Sequence, residues 1–376
     1  MNKKLIAKVQ GKRLGIIKDF LKSESIPLTS LVKIRGDASF RTYYRIKNSG
    51  LLLMDADPET NEKISSFIKI QKILSQFKIR APKIYKKSVS LGLMIIEDLG
   101  NKRFLDYSEN SKFLLSLYKK CGEELANIHN QSIVKPSKIK NLKKYTLNEQ
   151  MKEADLFFNW YLKKHLKKTI SNKEKNNFRI IFKKIYIKLN IKNYCLVLRD
   201  FHVDNIIPTQ VMPKDGRKKP ISSKYFKLGV IDFQDALIGS PAYDLSSLIE
   251  DVRAPINKKI QKEIIFIYMA TTRAFLKIYN SKVSALYKLT PEDRHCYSEL
   301  KSIAKETFDN FESKISYFSI QRNLKILGIF CRLKYRDRKT RYIRHLPKAK
   351  KFVRDNLKNP EFKELKDWFD ANKINV

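Results

Sequence analysis

Two short apolar runs in this chain lead directly into acidic loops. The first reads Cys195-Leu196-Val197-Leu198-Arg199-Asp200-Phe201-His202-Val203-Asp204-Asn205. The second reads Leu228-Gly229-Val230-Ile231-Asp232-Phe233-Gln234-Asp235. A short apolar, β-branched run bounded by turn-forming residues is the pattern of a buried strand. A carboxylate is expelled from such a strand unless it is paired, so each acid belongs to the loop just past the strand end. The chain must therefore build a core around both strands and keep both loop ends wet. An Asp after a strand most often closes a turn or caps a helix. Asp204 is read that way, as is Asp244 ahead of a helix over 245–251.

The rest of the pattern divides in two. Residues 11–23 carry apolar Leu14, Ile17, Phe20 and Leu21 at helical spacing. Strand-like runs follow over 30–34, 42–46 and 51–54, then a helix over 58–77, then strands over 82–85 and 93–96. Past Glu97-Asp98-Leu99-Gly100 the periodicity becomes helical over 111–129, 155–168, 177–189 and the C-terminal third. The stretch 195–243 interrupts it with strands and a Gly/Pro/Lys-rich loop at 213–224, a composition that predicts mobility. This predicts a β-rich N-terminal lobe over 1–96, a hinge over 97–100 and a helical lobe over 101–376.

Asp200, Asn205 and Asp232 fit one chemistry together. Phosphoryl transfer needs a carboxylate to accept the proton of the attacking hydroxyl. It also needs an Asn oxygen and a second Asp to hold Mg²⁺ on the nucleotide phosphates. The protein-kinase pattern His-Arg-Asp-x-x-x-x-Asn followed by Asp-Phe-Gly stands here as Leu-Arg-Asp-x-x-x-x-Asn followed by Asp-Phe-Gln. No G-x-x-x-x-G-K-[S/T] sequence is present, which excludes a P-loop ATPase.

Charge is the main rival signal. With 78 Lys and Arg against 38 Asp and Glu, the net charge is +40, which invites nucleic acid or an anionic membrane as partner. The Lys residues are dispersed, however, and no zinc-finger or RNA-recognition signature accompanies them, so no specific nucleic-acid partner is expected. A hydrophobic content of 43% also excludes a disordered polycation. No apolar run approaches the roughly 18–20 residues that span a bilayer, and no signal-peptide core follows the N-terminal lysines. Four scattered cysteines without C-x-x-C spacing suggest neither zinc nor a disulfide framework. The expectation is a cytoplasmic protein with a small-molecule substrate and no membrane partner.

The set Asp200…Asn205…Asp232-Phe233-Gln234-Asp235-Ala236…Gly239…Tyr243-Asp244-Leu245 resembles the aminoglycoside phosphotransferase and choline kinase superfamily. Within it, the chain is similar to the bacterial anomeric N-acetylmuramate/N-acetylglucosamine kinases of peptidoglycan recycling. That likeness rests on Gly36-Asp37-Ala38-Ser39-Phe40-Arg41, Met54-Asp55-Ala56, Asn159-Trp160-Tyr161-Leu162 and the run from Gln321 to Phe330. It implies an α+β, two-lobed protein-kinase-like fold with a small β-rich N-lobe and a larger helical C-lobe. It also implies ATP and Mg²⁺ as cofactors and the anomeric hydroxyl of an amino sugar as acceptor. Asp200 becomes the catalytic base, with Asn205 and Asp232 as the metal ligands. Gly36, Asp37, Ser39 and Arg41 would lie over the ATP phosphates, with Glu97 and Leu99 at the adenine. His202, Gln234 and Asp235 become candidate sugar contacts, and Arg253, Arg322 and Arg336 candidates for a sugar carboxylate. His129 is read as a packing and hydrogen-bonding residue.

Three positions depart from the pattern. Leu198 replaces a His that is common before the base. Gln234 replaces a Gly. The strand position for a phosphate-binding Lys reads Leu53-Met54, which leaves Arg41 or Arg45 to serve, or Mg²⁺ and backbone amides alone. The alternatives are a kinase of choline, ethanolamine or an aminoglycoside, and a non-catalytic kinase-like protein that binds nucleotide or RNA.

Overall fold

The computed structural model describes residues 3–34, 41–60, 64–210, 226–254, 256–284 and 291–376. The chain forms two compact units, one of Met1–Lys102 with Ile207–Gln234 and one of Arg103–Ile206 with Asp235–Val376.

The first unit opens with helix α1 (Lys3–Lys22), which starts well before the helix expected over 11–23. The strands β1 (Leu31–Lys33), β2 (Thr42–Ile46), β3 (Leu51–Asp55), β4 (Ile84–Ser88) and β5 (Leu93–Glu97) form one antiparallel sheet in the order β1-β2-β3-β5-β4. Ile17, Phe20 and Leu21 of α1 pack on Ile46, Leu53, Leu93 and Ile95 of this sheet. Arg13 ties the helix down through Asp55 at 2.5 Å and the Leu91 carbonyl at 2.8 Å. The helix expected over 58–77 is a short 3₁₀ turn, Pro58–Thr60, followed by α2 (Ile64–Gln76). Pro58 presets the turn, and Asp57 accepts the Glu59 N–H at 3.1 Å. β7 (Ile206–Gln210) and β8 (Phe226–Val230) pair as a separate ribbon. The loop expected over 213–224 lies outside the described residues.

The second unit is helical apart from β6 (Cys195–Val197) and β9 (Leu237–Gly239), an antiparallel pair with every residue buried. Its helices are α3 (Ser111–Ile133), α4 (Leu147–Leu156), α5 (Asn172–Lys188), α6 (Pro241–Ile249) and α7 (Lys258–Ser284). They continue with α8 (Pro291–Ala304), α9 (Phe308–Tyr335), α10 (Leu346–Asn356) and α11 (Lys363–Ala371). The helix expected over 155–168 is the end of α4 running on into wider, π-type turns over Phe157–His165. α6 begins at Pro241, whose fixed φ suits a first helical position. Asp244 therefore lies inside the helix rather than ahead of it.

α9 crosses α4 at Gly328. A Cβ there would stand 2.3 Å from the Leu156 carbonyl carbon and 2.4 Å from its oxygen, so only glycine fits. Gly328→Ala is expected to cost about 1–3 kcal/mol through overpacking. Urea unfolding followed by the fluorescence of Trp160 and Trp368 measures it, and an unchanged midpoint would contradict so close a crossing.

Candidate active site

β6 delivers the first acidic loop into the second unit. Arg199 sits in the left-handed region at φ +70°, an unfavourable conformation for a residue with a side chain. The carboxylate of Asp244, fully buried on α6, holds it there. It accepts the Leu198 N–H at 2.7 Å and the Arg199 N–H at 2.9 Å. His129, also fully buried, approaches Asp244 through Nε2 at 3.5 Å and lies 3.0 Å from the Tyr268 hydroxyl through Nδ1. Asp200 follows, partly buried. The Asp200 carbonyl accepts the His202 N–H at 3.0 Å and the Asn205 Nδ2 at 3.0 Å. With its nitrogen fixed on the backbone, the Asn205 amide keeps Oδ1 as an oxygen donor for another partner.

The same loop is fastened from the far side. Asp251, fully buried, accepts the Val203 N–H at 3.3 Å and the Arg253 N–H at 3.0 Å. Arg253 also reaches the Asp204 carboxylate at 2.8 Å, and Arg103 donates to the Asp204 carbonyl at 3.1 Å. Asp204 is thus an ion-pair anchor within a 3₁₀ turn, Val203–Asn205. His202 is buried, with Nε2 3.4 Å from Asn205 Nδ2. Its Nδ1 has no hydrogen-bond partner among the described residues. Burial pushes the His202 pKa down, Arg253 and Arg322 push the same way, and Asp251 and Asp200 oppose them.

A buried polar network backs Asp200. Glu153 of α4 accepts Lys325 Nζ at 2.8 Å and Gln321 Nε2 at 3.0 Å, and also accepts from Arg199 and Tyr145. Arg322, one turn before Lys325 on α9, is only 4% exposed, and its Nη1 has no hydrogen-bond partner among the described residues. Burial raises the Asp200 pKa, but Lys325, His202, Arg322 and Arg199 together outweigh it and hold the carboxyl below its ordinary value.

The second acid belongs to the first unit. The Val230 N–H bonds the Arg80 carbonyl at 2.8 Å, which fixes the end of β8. Asp232 follows, exposed and left-handed at φ +58°. Phe233 is fully buried against Phe67 of α2, ring centroids 4.7 Å apart. Gln234 is buried and donates to Asp232 Oδ1 at 2.8 Å, while its own Oε1 has no partner among the described residues. Asp235 opens the second unit with an exposed side chain.

Gly36, Asp37 and Ser39 lie outside the described residues. Arg41 is half-buried just before β2. Leu53 and Met54 are fully buried. Arg45 is paired with Asp98 at 2.5 and 3.2 Å. The Glu97 carboxylate is gripped by both Arg80 Nη atoms at 2.5 and 2.6 Å, and its N–H donates to the Lys83 carbonyl at 2.8 Å. The Arg80 hydrogen bond holds the Glu97 pKa down against burial. Leu99 is half-buried.

Glu153, Lys325 and Asp251 join the site from elements distant in sequence, and Asp244 is a buried clamp on the Asp200 loop rather than the cap expected ahead of a helix. One signal was available. Arg322 and Lys325 stand three apart on either side of Leu324, just ahead of the apolar run Ile326-Leu327-Gly328-Ile329-Phe330, and a charge beside such a run is rarely left buried without a purpose.

Known proteins share this architecture. The profile of the Phosphotransferase enzyme family matches residues 30–278. An N-acetylmuramate/N-acetylglucosamine kinase of Neisseria meningitidis is 26% identical over 85% of this chain and 83% of its own length. One from Pseudomonas putida is 24% identical over 90% and 87%. A choline kinase from Streptococcus pneumoniae superposes with a TM-score of 0.56 at 13% identity, over 91% of this chain and 98% of its own, a likeness of fold alone. The fold is accordingly α+β and protein-kinase-like, with a β-rich N-terminal and a helical C-terminal lobe. Among the described residues no helix is long and apolar enough to cross a membrane. The chain belongs to the phosphotransferase enzyme family and is an enzyme that moves a phosphoryl group onto a hydroxyl acceptor.

Proposed function

We propose that this enzyme uses Mg²⁺-ATP to phosphorylate the anomeric hydroxyl of N-acetylmuramate or N-acetylglucosamine, in the cytoplasm, during recycling of cell-wall sugars. The observation that carries the reading is Asp200, a carboxylate kept ionised by buried cations and held by its loop backbone at the end of a strand. The names borne by relatives matched over most of their length supply the sugar.

In this mechanism Asp200 takes the proton of the sugar hydroxyl as the hydroxyl oxygen attacks the γ-phosphorus, and the bond from that phosphorus to the β,γ-bridging oxygen breaks to release ADP. A base already ionised needs no prior proton loss. Asn205 and Asp232 are the Mg²⁺ ligands of the proposal. The donors fit a hard cation: an amide oxygen whose nitrogen is fixed on the Asp200 carbonyl, and an exposed carboxylate oriented by Gln234. Bound Mg²⁺ supplies neutralisation of the phosphate charge. Gly36, Asp37, Ser39 and Arg41 are assigned to the phosphates, and backbone groups of Glu97 and Leu99 to the adenine at a hinge over 97–100. The buried polar atoms His202 Nδ1 and Gln234 Oε1, without protein partners among the described residues, support their assignment to the sugar, together with Asp235.

A panel of acceptors with radiolabelled ATP tests this. The two amino sugars are expected to accept label as an acid-labile anomeric phosphate. Choline, ethanolamine and aminoglycosides are expected to accept none. Label on choline with none on the sugars would overturn the assignment. Excess EDTA is expected to stop turnover and added Mg²⁺ to restore it. Sustained turnover in EDTA would remove Asn205 and Asp232 from the metal role.

A further inference from the structure

We infer that Arg322 reads an acidic substituent on the sugar, its guanidinium pairing with the carboxylate of the lactyl ether that distinguishes N-acetylmuramate from N-acetylglucosamine. The inference rests on the amino-sugar reading and deepens it. Three other basic side chains around the Asp200 loop have acidic partners within the protein. Arg199 and Lys325 both donate to Glu153, and Arg253 pairs with Asp204 and Asp251. Arg322 is 4% exposed, yet its Nη1 has no hydrogen-bond partner among the described residues. A guanidinium nitrogen taken out of water without a hydrogen-bond acceptor is costly, and such an orphan calls for an occupant.

The chemistry of that occupant follows from the surroundings. Arg322 stands one turn before Lys325 on α9, Lys325 shares Glu153 with Arg199, and Arg199 directly precedes Asp200, so Arg322 belongs to the side chains that back the residue meeting the acceptor hydroxyl. The lactyl ether sits on C3 of the sugar and the reacting hydroxyl on C1, the two carbons that flank C2 with its N-acetyl group. A base at the anomeric oxygen and a buried cation behind the same loop can therefore serve one bound molecule. Asp200 is needed as the base, so it cannot also be the permanent partner of Arg322. The planar fork of arginine matches a carboxylate with two parallel hydrogen bonds, which a lysine cannot do. N-acetylglucosamine offers no carboxylate, so it binds without this pair.

The test compares the full-length enzyme with Arg322→Lys and Arg322→Met on both sugars. For Arg322→Met the kcat/KM for N-acetylmuramate is expected to fall about 30–100-fold, mainly through KM, the usual worth of a buried charged pair in discrimination. The value for N-acetylglucosamine is expected to change far less, so the ratio of the two sugars shifts by more than about tenfold. Arg322→Lys, which keeps the charge and loses the fork, is expected to lie between. The methyl ester of N-acetylmuramate removes the same charge from the other side, and wild type and Arg322→Met are expected to treat it alike. Equal losses on both sugars in both variants would overturn the inference, because Arg322 would then serve the phosphoryl group or the fold. An unchanged ratio would overturn it too. A wild type that phosphorylates neither sugar would instead overturn the proposed function, a result visible before any variant is compared.

Discussion

Asp200→Asn is expected to lower turnover by about 10²–10⁴-fold while sugar and nucleotide binding persist, the usual cost of a lost general base. The amide has the carboxylate's shape and can keep the side chain in place, but it cannot accept the proton. The backbone bonds that order the loop come from the Asp200 carbonyl, not its side chain, so the substitution leaves them intact. A second result follows from electrostatics. Lys325, His202, Arg322 and Arg199 hold the Asp200 carboxyl below its ordinary value despite burial. The base therefore stays ionised wherever an ordinary Asp carboxyl would, and contributes no acid limb to kcat near neutral pH. Lys325→Met removes the largest of those cationic contributions, so the Asp200 pKa rises and activity at the acid end falls first. The measurements are kcat against pH for wild type and Lys325→Met, and equilibrium sugar binding for Asp200→Asn. Near wild-type turnover in Asp200→Asn would remove it from the role of base.

What the sequence disclosed was local. β2 lies over Thr42–Ile46, as its β-branched and aromatic content predicts, and both acidic loops follow strands, as their apolar runs predict. These features depend on neighbours within a few residues. The α1 start was hidden because Gly11 and Gly15 weaken a helical pattern that the tertiary contact of Arg13 with Asp55 supports. The π-type turns after Leu156 were hidden because they lie beside a contact with Gly328, far along the chain. Glu153 was hidden for the same reason: its partners Arg199, Gln321 and Lys325 come from distant elements. Asp244 was visible as a residue but not as a function. A helix-start Asp reads as a cap until the N–H groups it accepts are found to lie on another element.

Those N–H groups make Asp244→Ala strongly destabilising for the second unit. The carboxylate is fully buried and accepts from Leu198 and Arg199 at 2.7 and 2.9 Å. Truncation leaves two backbone donors with no acceptor, at about 1–3 kcal/mol each, or about 2–6 kcal/mol in total. It also releases Arg199 from its left-handed conformation, which the clamp now offsets. The next residue is Asp200, and a shift of about 1 Å in a catalytic group costs on the order of 10²-fold in rate. Asp244→Asn separates the two effects. It fills the same volume and keeps one acceptor, but turns an N–H₂ toward one of the two donors. It is expected to recover part of the stability while leaving kcat at least about tenfold down, because the loop geometry depends on both bonds. His129→Ala, which removes only the 3.5 Å neighbour of Asp244, is expected to cost less than either. Urea unfolding and kcat measured on the same preparations check the order. An Asp244→Ala enzyme with wild-type stability and turnover would show that the loop is held by other contacts.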